Sequence, residues 1–433
     1  MATVTPLRGV RYNPLVIKDM SSVVTPPYDV IDPVSQKRYY EKHPYNIIRL
    51  ELGYEYPTDN EQNNRYTRAA ADYRRWLQEN VLIQEKTPAI YLYEQVFAVD
   101  SKTYKRTGFF ARVKLEDYQT GVIRPHEETL AKPKADRLQL LSTCLANFSA
   151  VFALYEKTDG SLEEQLEEIK QTAQPEIDIT DEVGEMHRLW VITDPAFHKK
   201  LSSSLADKVL YIADGHHRYE TALTFYRDVG EKLPGASYVL MYLVSTADPG
   251  LVILPTHRVI HNLPNFDISE FKEKLKEDFH IDELAVSSPT KLQEFLAEQQ
   301  SRGETAFIML LQQHPKAFLL VLKNKNKVKA LMPERSEAWC SLDVSVLHVL
   351  ILQQLLGIDA EKMSRQEHLN YTRSTEEAIH ALNNGSAQLA FILNPTRIEQ
   401  ITAVASAGDK MPQKSTYFYP KLLTGLVIND LTI

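Results

Sequence analysis

Five consecutive residues, Asp214-Gly215-His216-His217-Arg218, carry the chemistry most directly readable in this sequence. They follow an apolar run, Lys208 to Ala213, that reads as a buried strand, and they precede a helical stretch from Tyr219 to Asp228. A strand that ends where a helix begins offers an anion both backbone N–H groups and the positive end of the helix dipole. Gly215 lets the backbone approach such a ligand. Arg218 offers a planar fork for phosphate oxygens, and His216 and His217 can donate hydrogen bonds or shuttle protons. Asp214 is placed to hold Mg²⁺, directly or through water. The bland alternative is an ordinary turn with Asp214 as cap and solvated histidines. Two imidazoles and a guanidinium crowded behind an apolar strand favour a phosphate site.

A second polar cluster is Arg124-Pro125-His126-Glu127-Glu128-Thr129. His126-Glu127 begins like the zinc motif H-E-x-x-H, but Leu130 stands where the second histidine should, so the zinc-protease reading fails. Taken alone, the cluster reads equally well as a polar helix start. Further candidates are Thr256-His257-Arg258, with His257 and His261 at the i, i+4 spacing of metal ligands but no local carboxylate or cysteine. Tyr28 and Asp29, beside Pro26-Pro27, mark a rigid turn that could line a site. Lys414-Ser415-Thr416 could reach an anion. Cys144 and Cys340 read as small buried side chains.

Composition narrows the classes. The 433 residues include 15 glycines, about half the average usage. No two glycines are closer than five positions, so the dinucleotide fingerprint G-x-G-x-x-G is absent and neither flavin nor NAD is expected. Gly230 and Gly235 have P-loop spacing, but Ala236 follows instead of lysine; after Gly408, Gln413 replaces the second glycine before Lys414-Ser415. The net charge of −8 argues against a general nucleic-acid binder. No apolar run has the length of a membrane span, and no signal-peptide core is apparent, so a cytoplasmic protein is expected.

The elements that must position these residues alternate between strand and helix. Residues 1–60 read as irregular, with a short strand at Asn46 to Leu52. A helix is expected over 61–79, and a hairpin over 89–98 and 104–115. A strand at 149–156 and an acidic helix at 161–172 come next. After a strand at 189–193, Asp194-Pro195 starts a helix to about 205. Strands follow at 238–246 and 251–256. Residues 265–332 read as a βα layer with helices 268–278 and 290–300 and strands 305–311 and 317–323. The chain is helical from Asp343 and ends with helix 374–383, strand 388–393 and helix 396–405.

With these motifs in view, the sequence resembles a large bacterial and archaeal family of unknown function. The resemblance rests on Val24 to Ile31, Pro125-His126-Glu127, Ala213 to Ala222, Leu254 to Arg258 and Met411 to Lys421, and it covers nearly the whole chain. Over about 105–230 the sequence also resembles free serine kinases and the wider ParB/sulfiredoxin-like superfamily, on the His126-Glu127 pair and the Asp214 to Ala222 turn. The resemblance implies an α+β fold. Its centre would be a ParB/sulfiredoxin-like, mixed-sheet nucleotide-binding core at 105–262, between an N-terminal region at 1–104 and a C-terminal α/β region at 263–433. It also implies a nucleotide-dependent kinase that phosphorylates the hydroxyl of a small metabolite, with free serine the first guess and Mg²⁺ with ADP or ATP as cofactor. Glu127, with His126, would correspond to the catalytic glutamate, and Asp214 to Arg218 to the phosphate turn. The segment 161–187 would be an insertion relative to the small kinases. No cysteine stands in the turn, which excludes sulfiredoxin chemistry. Two other readings stay open: a nucleotide-binding regulatory or slow NTPase module, and a metal-dependent hydrolase using His126, His216, His217 and His257.

Overall fold

The computed structural model describes residues 1–129, 131–285 and 288–432. It is a mixed α/β protein that divides into two compact units. The first comprises Met1–Pro125, Thr129–Val252 and Pro420–Ile433, and the second His126–Glu128 and Ile253–Tyr419.

The first unit is organised by a mixed sheet. Its strands are β1 (Val4–Thr5), β2 (Ile90–Val99), β3 (Lys102–Lys114), β4 (Ile123–Arg124), β5 (Val151–Tyr155), β6 (Ile177–Thr180), β7 (Met186–Ile192), β8 (Leu210–Asp214) and β9 (Tyr238–Ser245). Their order is β4-β8-β5-β9-β3-β2-β7-β6, with β1 also on β3. The pairs β4/β8 and β5/β9 are parallel and the other pairs antiparallel. The expected hairpin is present as β2 and β3. Its two-residue turn places Asp100 and Ser101 at φ +48° and +64°, as a tight turn matched to strand twist requires. Phe109, Val151, Ala153, Leu210, Ile212 and Met241 are buried in one core beside the helix His216–Val229. A second core gathers Tyr12, Trp76, Phe148 and Ile428, with the helix Arg65–Gln78 supplying Ala69, Ala70 and Tyr73.

The second unit carries an antiparallel sheet of β10 (His257–Ile260), β11 (Phe279–Leu284), β12 (Ala306–Leu311), β13 (Ala317–Leu322), β14 (Leu369–Thr372) and β15 (Leu389–Ile392). The order is β11-β13-β12-β15-β10-β14. Its core holds Leu292, Leu296, Ile308, Leu319, Leu382 and Ile392.

Three expectations need correction. Asn46 to Leu52 is not a strand: Ile48–Glu51 forms a short helix, and Asn46 Oδ1 accepts from the Ile48 N–H at 2.9 Å. The N-terminal region is also less irregular than expected, because Asp32 caps a helix at Pro33–Lys42. Finally, the division at 104 falls inside β3, so 1–104 and 105–262 share one sheet. Among the described residues no helix is long and apolar enough to cross a membrane.

Candidate functional site

The Asp214–Arg218 turn belongs to the first unit. β8 pairs with β5 in regular register up to Ile212 and then shifts before Asp214, so a bulge re-aims the strand end. Gly215 follows in the left-handed region at φ +88°, ψ +28°, and the helix begins at His216, three residues before its expected start. Gly215 supplies no side-chain cap to the helix start. A Cβ on Gly215 would sit 2.8 Å from Arg218 Nε and 2.9 Å from Nη2, which makes glycine a requirement here.

The side chains show what holds the turn. Asp214 Oδ2 lies 3.3 Å from Lys421 Nζ and 3.6 Å from Arg218 Nη2. Burial opposes its ionisation, but Lys421, Arg218 and His216 outweigh that and hold the carboxyl well below the usual range. Arg218 also donates through Nη1 to the Ala150 carbonyl. Its guanidinium therefore lies against Gly215 as a brace, engaged by Asp214 and the Ala150 carbonyl. His216 is buried and His217 half-buried.

Beside Arg218 is a pocket of about 390 Å³ lined by Glu51, Arg137, Ser149, Arg218 and Thr221 among others. Arg137 donates to the Glu51 carbonyl at 3.0 Å and to Glu51 Oε1 at 3.3 Å, and Ser149 Oγ donates to the same carboxylate at 2.8 Å. Burial pushes the Glu51 carboxyl up, against the pull of Arg137, Ser149 and Arg218. The Arg137 guanidinium stacks over Tyr28 at 4.0 Å from the ring centroid. Tyr28 thus joins this network, whereas Asp29 is exposed. Sequence reasoning missed Glu51, Arg137 and Ser149.

The other candidates gather in the second unit. His126 is buried, with Nε2 2.9 Å from Thr416 Oγ1. The Met411 N–H donates to the His126 carbonyl at 2.7 Å, and the Lys414 N–H to Glu127 Oε1 at 3.2 Å. Lys414 adopts φ +57°, a conformation uncommon outside glycine. Ser415 is buried, and its hydroxyl donates to the Pro412 carbonyl. Arg258, 1% exposed, donates to the Thr256 carbonyl, to Lys414 O at 3.1 Å and to Gln413 O at 3.5 Å, and its Nη2 lies 3.1 Å from His348 Nε2. Five expected site residues, His126, Glu127, Arg258, Lys414 and Thr416, are thus linked through one tail segment. Thr256, Arg258 and Ser415 also line a pocket of about 310 Å³.

A family model described as a protein of unknown function, DUF1015, matches residues 4–345. The chain belongs to this family. Among curated proteins, none matches this DUF1015 chain. Solved structures give weak likenesses. A conserved hypothetical protein from Pyrococcus furiosus is 15% identical, with TM-score 0.34, over 74% of this chain and 95% of that one. A free serine kinase in complex with AMP is 15% identical, with TM-score 0.36, over 74% and 92%. SbnI with a C-terminal truncation, from Staphylococcus aureus, is 10% identical, with TM-score 0.33, over 73% and 86%.

The geometry bears on two metal expectations. Asp214 does not fit as a dedicated Mg²⁺ ligand, because Lys421 and Arg218 already compensate its carboxylate. The His257/His261 pairing also fails. His257 lies in a strand, where residues four apart stand roughly 13 Å apart. Both of its ring nitrogens are engaged, Nε2 with Thr375 Oγ1 at 3.2 Å and Nδ1 with the Leu393 N–H at 3.3 Å. Among the described residues, the group of three or more metal-capable side chains is Asp181, Glu185 and His187, not the four histidines of the hydrolase reading.

Proposed function

We propose that the Asp214–Arg218 turn of this DUF1015 protein binds the phosphates of a nucleotide, ADP or ATP first, and that the protein transfers a phosphoryl group to the hydroxyl of a small metabolite. Free serine is the first acceptor to try, and a cytoplasmic location fits this chemistry. The observation that carries the phosphate assignment is the left-handed Gly215 between a bulged strand end and a helix start without a side-chain cap. N–H groups converge on an anion there, and the helix dipole adds to their pull. Arg218 and Lys421 hold the loop in shape while adding positive charge near the phosphates. Phosphoryl transfer asks the protein chiefly for positioning and charge compensation, which such a turn can supply. A divalent ion would arrive with the nucleotide, since Asp214 is already paired. The resemblance of the His126-Glu127 pair assigns Glu127 the acceptor side, where it would orient or deprotonate the attacking hydroxyl. The finer fold assignment, ParB/sulfiredoxin-like, belongs to the same reading.

The test is to incubate the protein with ATP or ADP, Mg²⁺ and serine, and to follow phosphoserine by ³¹P NMR. Glu127→Gln is expected to keep nucleotide affinity and to abolish transfer; full transfer by that variant overturns the role of Glu127. One observation favours a second reading, a nucleotide-binding regulatory module: Arg218 is committed to Asp214 and the Ala150 carbonyl instead of being presented for catalysis. That reading expects nucleotide binding with no phosphorylated product.

A further inference from the structure

Four strands, β5, β9, β3 and β2, lie between β8, which ends in the Asp214 turn, and β7 of the β6–β7 hairpin, so the tip of that hairpin is a separate locality within the first unit. Its connection carries Asp181 and Glu185, and β7 begins with His187 as its second residue; one nitrogen and one carboxylate oxygen from each acid lie within 4.8 Å of one another. Two backbone donors fix the Asp181 carboxylate: the Val183 N–H at 3.0 Å and the Glu185 N–H at 2.8 Å, both to Oδ1. Oδ2 is left facing His187 Nε2 at 3.3 Å.

His187 supplies the independent observation. The residue is 1% exposed, and Nε2 is a buried atom with no hydrogen bond of acceptable geometry among the described residues. Its other nitrogen is held: Nδ1 lies 2.7 Å from Tyr93 Oη, and the two rings stack with an interplanar angle of 10°. This is how a metal-binding imidazole is usually prepared. One nitrogen is fixed by an outer hydrogen bond, which sets the tautomer, and the other is aimed at the ion. A buried polar atom without a partner is costly unless something satisfies it.

We propose that Asp181, Glu185 and His187 form a Zn²⁺ site, with one imidazole and two carboxylates as protein ligands and a fourth position open to water. Zinc accepts this mixture of nitrogen and oxygen donors at about 2.0–2.2 Å, which small rotamer changes can reach. Bound through Nε2, a neutral His187 would carry its one proton on Nδ1, shared with Tyr93 Oη; from the other neutral tautomer that proton moves across with no net release, and only the imidazolium would give one up. The ion would tie the tip of the β6–β7 hairpin to the neighbouring β2, which carries Tyr93.

The test uses full-length, tag-free protein stripped with chelator, titrated with Zn²⁺ by calorimetry and melted with and without the ion. One equivalent of Zn²⁺ and a raised melting temperature are expected for the wild type. Asp181→Asn and Glu185→Gln are each expected to weaken Zn²⁺ binding by about 100-fold or more, and Tyr93→Phe by about tenfold through loss of ring positioning. Circular dichroism checks that each variant folds. If Asp181→Asn misfolds, the near-isosteric Glu185→Gln still decides the matter. No stoichiometric uptake by the wild type, or uptake unchanged in a folded Glu185→Gln, overturns the site and leaves an ordinary aspartate-histidine pair.

Discussion

In the first unit, the polar groups of the candidate site meet as opposite charges: Asp214 against Lys421 and Arg218, and Glu51 against Arg137. In the second, they meet dipoles. Arg258 is buried among main-chain carbonyls and the His348 ring, and His257 between a hydroxyl and a backbone N–H. The difference shows in protonation. The first arrangement holds Asp214 ionised despite burial, although at Glu51 burial outweighs Arg137 and pushes the carboxyl up. The second drives titratable groups neutral: burial, with Arg258 adding to it, pulls His257 down to about 4, and burial pushes Asp343 up to about 7 against Thr305 and Arg397. Paired charges strongly resist removal of one partner, whereas neutralised groups respond to pH in the range where they must charge.

Asp214→Asn should have the largest effect, because it strands two cations on one strand end. About 3 kcal/mol of stability should be lost at neutral pH, read by urea unfolding. The sign of its pH dependence follows from a carboxyl depressed in the folded state. Its stabilisation is present above the unfolded value of about 4 and disappears as pH falls below it, so the variant should lose the corresponding part of the acid limb. A variant as stable as wild type would mean that the pairing does not hold the turn.

Next in size is Gly215→Val. The positive φ and the contact with the Arg218 guanidinium should cost about 2 kcal/mol and distort the N–H array. Gly215→Ala should cost less, because it is not β-branched. Equal stability of all three proteins would refute the steric account.

The second unit should respond the opposite way. Asp343→Asn is expected to stabilise the protein by about 1 kcal/mol at pH 8 and to have little effect at pH 5. The raised folded value means that the wild type loses stability as pH rises from about 4 towards 7, as the unfolded state ionises first. His257 acts at the other end. Its contribution is full above about 6.5 and falls as pH drops towards about 4. Equilibrium unfolding at the two pH values checks both signs.

What was legible in the sequence follows from contiguity. The Asp214–Arg218 turn announced itself because strand, glycine, basic residues and helix lie side by side. The Asp194-Pro195 start was read correctly for the same local reason, since Asp194 accepts from the Ala196 and Phe197 N–H groups. Asp32-Pro33 carries the same signal and begins a helix too. Asn46 to Leu52 misled because a short apolar run has no decisive period. The Glu51 network could not be seen, as Arg137 and Ser149 reach Glu51 across 86 and 98 residues. The i, i+4 spacing of His257 and His261 suits metal ligands on a helix, and His257 lies in a strand instead. Arg218 shows the limit of residue type alone: the direction of its guanidinium depends on the Ala150 carbonyl, 68 residues away.

The most direct test of the phosphate turn is calorimetric titration of ADP and ATP, with Mg²⁺, into wild type and Gly215→Val. Saturable binding by the wild type, weakened at least about tenfold in a folded Gly215→Val, is the expected result. No binding by the wild type, or unchanged affinity in the variant, would contradict the assignment of this turn as a nucleotide-phosphate site.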